Sequence, residues 1–95
     1  MSRAYVVGNV TIRDTEKWAQ YVAEVPATIT PWGGEVVLRG RQAVLLVGQA
    51  PHRNLVVLSF PDLDAINRWY ASAAYQALIP LRDAAAIVDL AAYEG

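Results

Sequence analysis

Tyr75 and Arg82 are the two side chains whose types and spacing best suit chemistry in this sequence. They lie seven residues apart, which is about two helical turns, so both can share one face of a helix. The arginine fork can hold a carboxylate or an enolate through paired hydrogen bonds. A tyrosine hydroxyl can donate to an oxyanion or relay a proton. The pair therefore indicates a site for a small organic anion, with Tyr75 and Arg82 as candidate catalytic groups.

Asn9 and Trp69 join Tyr75 and Arg82 as candidate ligand-binding residues. Asn9 interrupts a segment of apolar and β-branched residues, where asparagine is disfavoured, and a buried amide needs hydrogen-bond partners. Trp69 is the aromatic residue that we choose to line the pocket. Each also has a structural interpretation, since Tyr75 and Trp69 have the spacing of core aromatic residues and Asn9 can serve as an internal hydrogen-bonding group.

Pro80 interrupts an apparently helical stretch, WYASAAYQALIPLRDAA (69–85), two residues before Arg82. A proline inside a helix removes one backbone hydrogen bond and bends the axis. Such a bend would turn Arg82 toward the space between the helices and the sheet. The alternative is that Pro80 marks a helix boundary and that Arg82 pairs with Asp83 or Asp89 on the surface.

Other kinds of chemistry find little support in the residue types. The one histidine, His52, follows Pro51 in a predicted loop with no carboxylate near it in sequence, so we expect a solvated side chain. There is no cysteine, no metal-ligand cluster and no nucleophile–base motif. Asp62 and Asp64 suit a helix N-terminus, where negative charge is stabilised. We therefore expect neither a metal nor a cofactor.

The composition indicates one domain, residues 1–95, that associates with itself. Hydrophobic residues make up 55% of the chain and charged residues 18%, which is more apolar surface than one small domain readily buries. The net charge is −1 and the eight basic residues are scattered, so we expect no nucleic-acid partner. We find no signal peptide and no apolar run long enough to span a bilayer, and we expect a cytoplasmic protein with no membrane partner.

Residue periodicity and turn signals predict five strands and two helical regions. The strands are predicted at 4–11, 35–39, 43–48, 55–60 and 86–93. Asp14 is expected to cap the first helix, which carries an apolar stripe from Trp18 to Ile29 and a kink or break at Pro26. The second helical region opens at Pro61-Asp62, restarts at Ser72 as a fresh N-cap, and runs to about residue 85. A tight turn is predicted at 40–42.

The predicted order of elements is typical of the ferredoxin-like α+β fold, a split βαβ sandwich with an antiparallel sheet and helices on one face. Alternate residues of the predicted strands are apolar on both faces, for example in VVLSF (56–60) and AIVDLAAY (86–93). The helices can cover one face only. A second copy of the same sheet is the simplest cover for the other, since isologous dimers are the commonest oligomers. We therefore expect a homodimer.

Several stretches resemble a small bacterial family known as domain of unknown function thirteen-thirty. They are YVAEVPATITPWGGEVVLRG (21–40), VVLSFPDLDAINRWYASAAYQALIPLRDAA (56–85) and YEG (93–95). The combination of Gly33-Gly34, Arg39-Gly40, FP (60–61), WYAS (69–72), YQ (75–76) and LR (81–82) carries the resemblance. Both glycine sites are expected in turns with positive φ. The resemblance implies a dimeric α/β barrel formed by sheet-to-sheet pairing.

The dimeric α/β-barrel superfamily includes cofactor-free monooxygenases, haem-degrading enzymes, and relatives of chlorite dismutase and muconolactone isomerase. The haem-degrading members use a first-strand asparagine, a second-helix tryptophan and a later histidine. Asn9 and Trp69 match the first two, but no histidine follows Trp69. The resemblance implies a small-molecule-binding homodimer, as a cofactor-independent monooxygenase or isomerase of a small organic acid or aromatic compound. The alternative is a non-catalytic binding or assembly module.

Overall fold

A four-stranded antiparallel sheet carries the helices of this chain on one of its faces. The computed structural model describes residues 3–95. The strands are β1 (Ala4–Ile12), β2 (Glu35–Arg41), β3 (Asn54–Phe60) and β4 (Ala86–Glu94). The helices are α1 (Thr15–Ile29), α2 (Leu63–Ala71), α3 (Ala73–Gln76) and α4 (Ile79–Ala85), with a 3-10 turn at Thr30–Trp32. The sheet order β2-β3-β1-β4 confirms the predicted ferredoxin-like α+β fold.

Capping residues place the helix starts where the sequence predicts them. The Asp14 carboxylate accepts a hydrogen bond of 3.0 Å from the Lys17 backbone N–H, and Asp62 accepts one of 2.8 Å from that of Ala65. These bonds satisfy donors that the first turn of a helix leaves unpaired. After the 3-10 turn, Gly33 adopts a φ of 75°, which confirms the positive φ predicted there and turns the chain into β2.

Strand alternation divides the sheet into a face under the helices and an open face. Ala4, Val6 and Val10 point toward the helices and are buried, together with Leu58 and Phe60 of β3. The register of β1 with β3 and β4 puts the residues between them on the other side. That open face consists of Tyr5, Val7, Asn9, Thr11, Leu55, Val57, Ser59, Ile87, Asp89, Ala91 and Tyr93.

The strand predicted at 43–48 is wrong, and so is the tight turn predicted at 40–42. β2 continues through Gly40 to Arg41, which pairs with Asn54 of β3. Because the chain does not reverse at Gly40, the segment that follows has no strand beside it, and a strand forms only by pairing. Gly40 therefore lies within β2 without a positive φ, and residues 42–53 form a long connection instead.

Pro26 does not break its helix, whereas Pro80 marks a helix boundary, as one of the two interpretations of the sequence predicts. α1 continues through Pro26 to Ile29, so the predicted break is absent. Pro80 lies at the second position of α4, because the helical region ends at Gln76 and begins again at Ile79. A proline costs nothing at this position, since backbone N–H groups of the first turn have no partner within the helix. Pro80 therefore starts a helix rather than bending one.

Candidate functional site

Ser72, between α2 and α3, positions Tyr75 so that its hydroxyl lies beside the Arg82 guanidinium. The Ser72 hydroxyl donates to the Trp69 carbonyl at 2.6 Å and accepts from the Tyr75 backbone N–H at 3.3 Å. The predicted restart of the helix at Ser72 is confirmed. The chain changes direction at this cap, so that the ring of Tyr75 turns inward and is fully buried. Pro80 then starts α4, which presents Arg82 to the same point.

Three hydroxyl groups and one guanidinium form a continuous hydrogen-bonded cluster there. Arg82 Nη1 donates to the Tyr75 hydroxyl at 3.1 Å and to the Tyr70 hydroxyl at 3.4 Å. The Tyr75 and Tyr21 hydroxyl oxygens lie 2.7 Å apart. The cluster therefore links α4 through α3 to α1.

Arg82 keeps a fixed positive charge although its side chain is only 13% exposed. Burial alone would lower the pKa of Arg82, but the hydrogen bonds to Tyr70 and Tyr75 outweigh it, and the pKa is raised above its ordinary value. Its carboxylate partner is Asp83, bonded from Nε at 3.1 Å. Arg82 therefore makes both of the contacts that the sequence leaves as alternatives. It pairs with Asp83 at the surface, and it contacts Tyr75 in the interior.

The guanidinium retains one nitrogen for a ligand. Within residues 3–95, the side-chain hydrogen bonds of Arg82 use Nε and Nη1, and none uses Nη2. In the same part of the chain, no buried side-chain nitrogen or oxygen lacks a partner. Nη2 therefore reaches the surface, and an anion arriving from solvent meets a charge that is already oriented by two tyrosines.

Tyr21 closes the inner end of the cluster and stays neutral. Burial, together with the adjacent Tyr75 hydroxyl, raises the pKa of Tyr21 above its ordinary value. The positive charges of Arg82 and Arg39 oppose this shift without reversing it. Because the anionic form is disfavoured, Tyr21 can act as a hydrogen-bond donor or acceptor near neutral pH but not as a base.

An apolar cleft of about 220 Å³ lies beside the cluster, against α2 and the edge strand β4. Tyr70 belongs to both, since its ring lines the cleft and its hydroxyl accepts from Arg82. Trp69 forms another wall, and its Nε1–H donates to the Thr28 hydroxyl at 3.0 Å. The indole nitrogen is thus already used, so Trp69 offers a ligand only its ring. The rest of the lining is apolar and consists of Val6, Ile66, Leu90, Ala91 and Ala92.

Asn9 does not join the other three predicted residues. Trp69, Tyr75 and Arg82 lie together on the helix side, with the Trp69 and Tyr75 ring centroids 4.4 Å apart. Asn9 is exposed on the open face, because odd-numbered residues of β1 point away from the helices. The pairing of Asn9 with Trp69 that haem-degrading relatives suggest is therefore absent. Asn9 instead lines a cleft of about 440 Å³ with His52.

His52 has partners that sequence reasoning missed. Its Nδ1 lies 2.9 Å from the Thr11 hydroxyl, and its Nε2 lies 2.8 Å from an Asp89 carboxylate oxygen. The expectation of a solvated histidine is wrong. Both partners are far away in sequence, and only the register of β1 with β4 makes them neighbours. The one available signal was the alternation that puts Thr11 and Asp89 on the same face.

The described residues hold no further constellation for metal or membrane chemistry. Within residues 3–95, no group of three or more His, Cys, Asp or Glu side chains is placed to hold a metal ion. Among the helices of that same part of the chain, none combines the length and the apolar character that crossing a membrane requires. The tyrosine–arginine cluster with its cleft is therefore the candidate site that the geometry defines best.

Comparison with known proteins identifies a family and a fold but no reaction. The model of the family described as "Domain of unknown function (DUF1330)" matches residues 3–95, and no curated protein matches the chain. The protein of unknown function RPA0582 from Rhodopseudomonas palustris superimposes with a TM-score of 0.83 at 18% identity. The match covers 99% of this chain and 82% of that one.

Two further structures extend the comparison. A dimeric ferredoxin-like protein of unknown function from Jannaschia sp. CCS1 matches with a TM-score of 0.80 and 10% identity, over 98% of this chain and 99% of that one. SnoaB from Streptomyces nogalater, described as a cofactor-independent oxygenase, matches with a TM-score of 0.68 and 16% identity. That match covers 98% of this chain and 92% of SnoaB. At these identities the likeness concerns the fold alone.

Proposed function

We propose, from the premise that this chain belongs to the DUF1330 family, that it is a homodimer binding a small organic or aromatic acid in each protomer. The observation that carries the proposal is Arg82, a mostly buried cation. Its Nη1 is held by Tyr70 and Tyr75, while its Nη2 has solvent access and makes no hydrogen bond within residues 3–95. A carboxylate, phenolate or enolate oxygen at Nη2 would complete the hydrogen bonds of the guanidinium.

The neighbouring cleft supports an aromatic or similarly compact apolar body for the ligand. An apolar cavity of about 150 Å³ is sufficient for benzene, and this cleft measures about 220 Å³. Its walls include Trp69 and Tyr70, and of these two the exposed Tyr70 offers an aromatic ring to a flat ligand. Tyr70 joins the two halves of the site, because it lines the cleft and contacts Arg82. The ligand class is thus an acid with one small ring.

The reaction that fits these groups is cofactor-independent oxygenation or isomerisation. In either reaction the protein holds the substrate as its anion, excludes water and stabilises oxyanion charge. Arg82 would stabilise that charge, and the Tyr75 hydroxyl would hold the guanidinium in place through its bond to Nη1. The fold shared with SnoaB, a cofactor-independent oxygenase, supports oxygenation over isomerisation as the first activity to test.

The open face supports the dimer. It carries Val7 and Val57 at its centre and exposes about half of Ile87 and Tyr93, and none of the helices within residues 3–95 covers it. The neighbour from Jannaschia is itself a dimeric protein. Light scattering should give twice the chain mass for the wild type and the single mass for Ile87→Lys and Val57→Lys. Ile87→Lys changes an exposed position, so its folding is not at risk.

The test of the acid site is ligand binding with matched arginine variants. Aromatic and lactone acids would be titrated into the wild type, Arg82→Gln and Arg68→Gln, with calorimetry and thermal shift as readouts. Arg68 pairs with Asp64 on the surface of α2 and is the control. Binding should weaken at least tenfold in Arg82→Gln and stay unchanged in Arg68→Gln. Equal affinities in all three proteins would refute the role of Arg82.

A non-catalytic binding or assembly module is the second candidate. This candidate is favoured because most of the hydrogen-bonding groups in the cluster are satisfied by the chain itself. Arg82 contacts Tyr70, Tyr75 and Asp83. Dioxygen uptake separates the two candidates. Hydroxylated aromatic acids that bind would be incubated in air with a chelator. Uptake that is lost in Arg82→Gln supports the oxygenase, whereas binding with no uptake and no change in the acid supports the module.

A further inference from the structure

The connection between β2 and β3 exposes an unusually apolar surface. We call residues 42–53 the arm and residues 44–47, Val-Leu-Leu-Val, its tip. The four side chains of the tip are between 48% and 88% exposed, although all four are large aliphatic residues. Single exposed aliphatic residues are common, whereas a continuous apolar patch marks an interaction site.

The arm is held in place at its neck. The Gln42 N–H donates to the Arg53 carbonyl at 2.7 Å and closes the neck. The adjacent His52 bonds to Thr11 of β1 at 2.9 Å and to Asp89 of β4 at 2.8 Å. Both partners lie on the open face, and the cleft that His52 lines includes further residues of that face. The neck of the arm is therefore fastened on the open-face side of the sheet.

The chain exposes more surface than its mass predicts. Its accessible surface is 6095 Å², whereas a folded monomer of 10.4 kDa is expected to expose about 5,400 Å². The excess approaches the area of about 800 Å² that one partner gives to a standard interface. Because the tip side chains are largely exposed, they contribute to this excess, which a second copy of the chain would bury.

We propose that the tip of the arm docks on the open face of a second copy of this chain, and that the two copies exchange arms across a two-fold axis. The inference rests on the homodimer proposed above and adds to it the part of the chain that completes the interface. Residues 43–51 carry no charge, which suits burial against the apolar residues of that face. His52 is then the positioning residue that holds the arm at the edge of the interface.

The first test is the dimer dissociation constant of tip variants, measured by sedimentation equilibrium. Leu46→Asp and Val47→Asp place a charge in the tip and should each raise the constant at least tenfold. Leu63→Asp, at the exposed start of α2, is the matched control and should leave it unchanged. A constant that stays the same in both tip variants would overturn the proposal, while the dimer of the wild type would still stand.

The second test reads the burial of the tip directly. The chain has no cysteine, so Leu46→Cys creates a single thiol whose reaction with a maleimide can be timed. The thiol should react at least tenfold more slowly in the dimer than in the monomeric Ile87→Lys background. Equal rates would contradict docking even if the dimer forms. If the wild type is monomeric at all concentrations, the proposed homodimer itself is wrong.

Arg41 precedes the arm and Arg53 ends it, and a lipid surface is the rival occupant that basic residues beside an apolar tip suggest. Wild type and Leu46→Asp would be sedimented with anionic phosphatidylserine vesicles and, separately, with neutral phosphatidylcholine vesicles. Absence of pelleting with either, together with the weakened dimer, supports docking on a second copy. Pelleting that Leu46→Asp abolishes, with an unchanged dimer constant, would assign the tip to membranes and overturn the proposal.

Discussion

The two faces of the sheet solve the burial of apolar residues in different ways. Under the helices, Phe60, Trp69 and Tyr75 are almost fully enclosed, and the polar atoms among them are paired over short distances. On the open face, apolar residues alternate with Asn9 and Asp89, and a single loop histidine crosses it. The apolar residues of the covered face are therefore buried within one chain, whereas those of the open face remain available for contact with another molecule.

This difference separates two roles that the same residue types play. Aromatic and polar residues under the helices are fixed by the fold, so their mutation should change stability first and binding second. Comparable residues on the open face contact little within the chain, so their mutation should change association and leave folding nearly intact. Each of the following predictions tests this separation, beginning with the largest expected effect.

Truncation of Trp69 should destabilise the chain most. Trp69→Ala removes a buried ring that packs on Phe60 and Tyr75 and should lower the free energy of unfolding by about 3–5 kcal/mol. Tyr93→Ala is the control, because Tyr93 lies about half exposed on the open face. In the Ile87→Lys background it should change the free energy by less than about 1 kcal/mol. Urea unfolding measures both, and similar losses would contradict the separation of the faces.

Two strand glycines should respond oppositely to the same added methyl group. A Cβ on Gly8 would come within 2.7 Å of Val56 Cγ1 and 3.0 Å of Leu90 Cδ2 under the helices. Gly8→Ala should therefore cost about 1–3 kcal/mol. The nearest atom to a Cβ on Gly40 is 3.9 Å away, so Gly40→Ala should be neutral or stabilise by about 0.5–1 kcal/mol. Thermal unfolding of the two variants would reveal a reversal of this order.

The fold followed from local signals in most of the chain, and the exception is instructive. The caps at Asp14, Asp62 and Ser72 act within three residues, so the sequence contains the whole cause of each helix start. The segment 43–48 has the composition of a strand, but a strand also needs a neighbour. Whether one exists depends on where β2 ends, and that is decided by its pairing with β3.

The candidate site was predictable only where its parts share one helical region. Tyr75 and Arg82 meet at 3.1 Å, but they do so from two separate helices, α3 and α4, rather than from one face of a single helix. The sequence did not predict that Tyr21 and Tyr70 belong to the cluster. Tyr21 reaches it because α1 packs against α4. Asn9 was assigned to the pocket from its type alone, and type does not tell which face of a strand a residue occupies.

Alkaline pH should weaken the covered face through Tyr21. Its pKa is raised in the folded state by burial, so between the unfolded pKa, about 10, and the higher folded one only the unfolded chain releases this proton. The contribution of Tyr21 is therefore complete below about pH 10 and falls by about 1.4 kcal/mol per pH unit above it. Urea unfolding at pH 9 to 11 should give a shallower decline for Tyr21→Phe. Parallel declines would contradict this assignment.

The smallest effect is expected for the hydrogen bond between His52 and Asp89 on the open face. The Asp89 side chain is 74% exposed, and such a contact contributes at most about 1 kcal/mol to stability because water competes for an exposed carboxylate. Asp89→Asn keeps the shape of the side chain and should change the free energy of unfolding by less than about 0.5 kcal/mol in the monomeric Ile87→Lys background. If the arm is positioned through His52, the same substitution should nevertheless weaken the dimer by severalfold. Sedimentation equilibrium and urea unfolding together check this, and a loss of stability without a loss of association would place Asp89 among the groups that hold the fold.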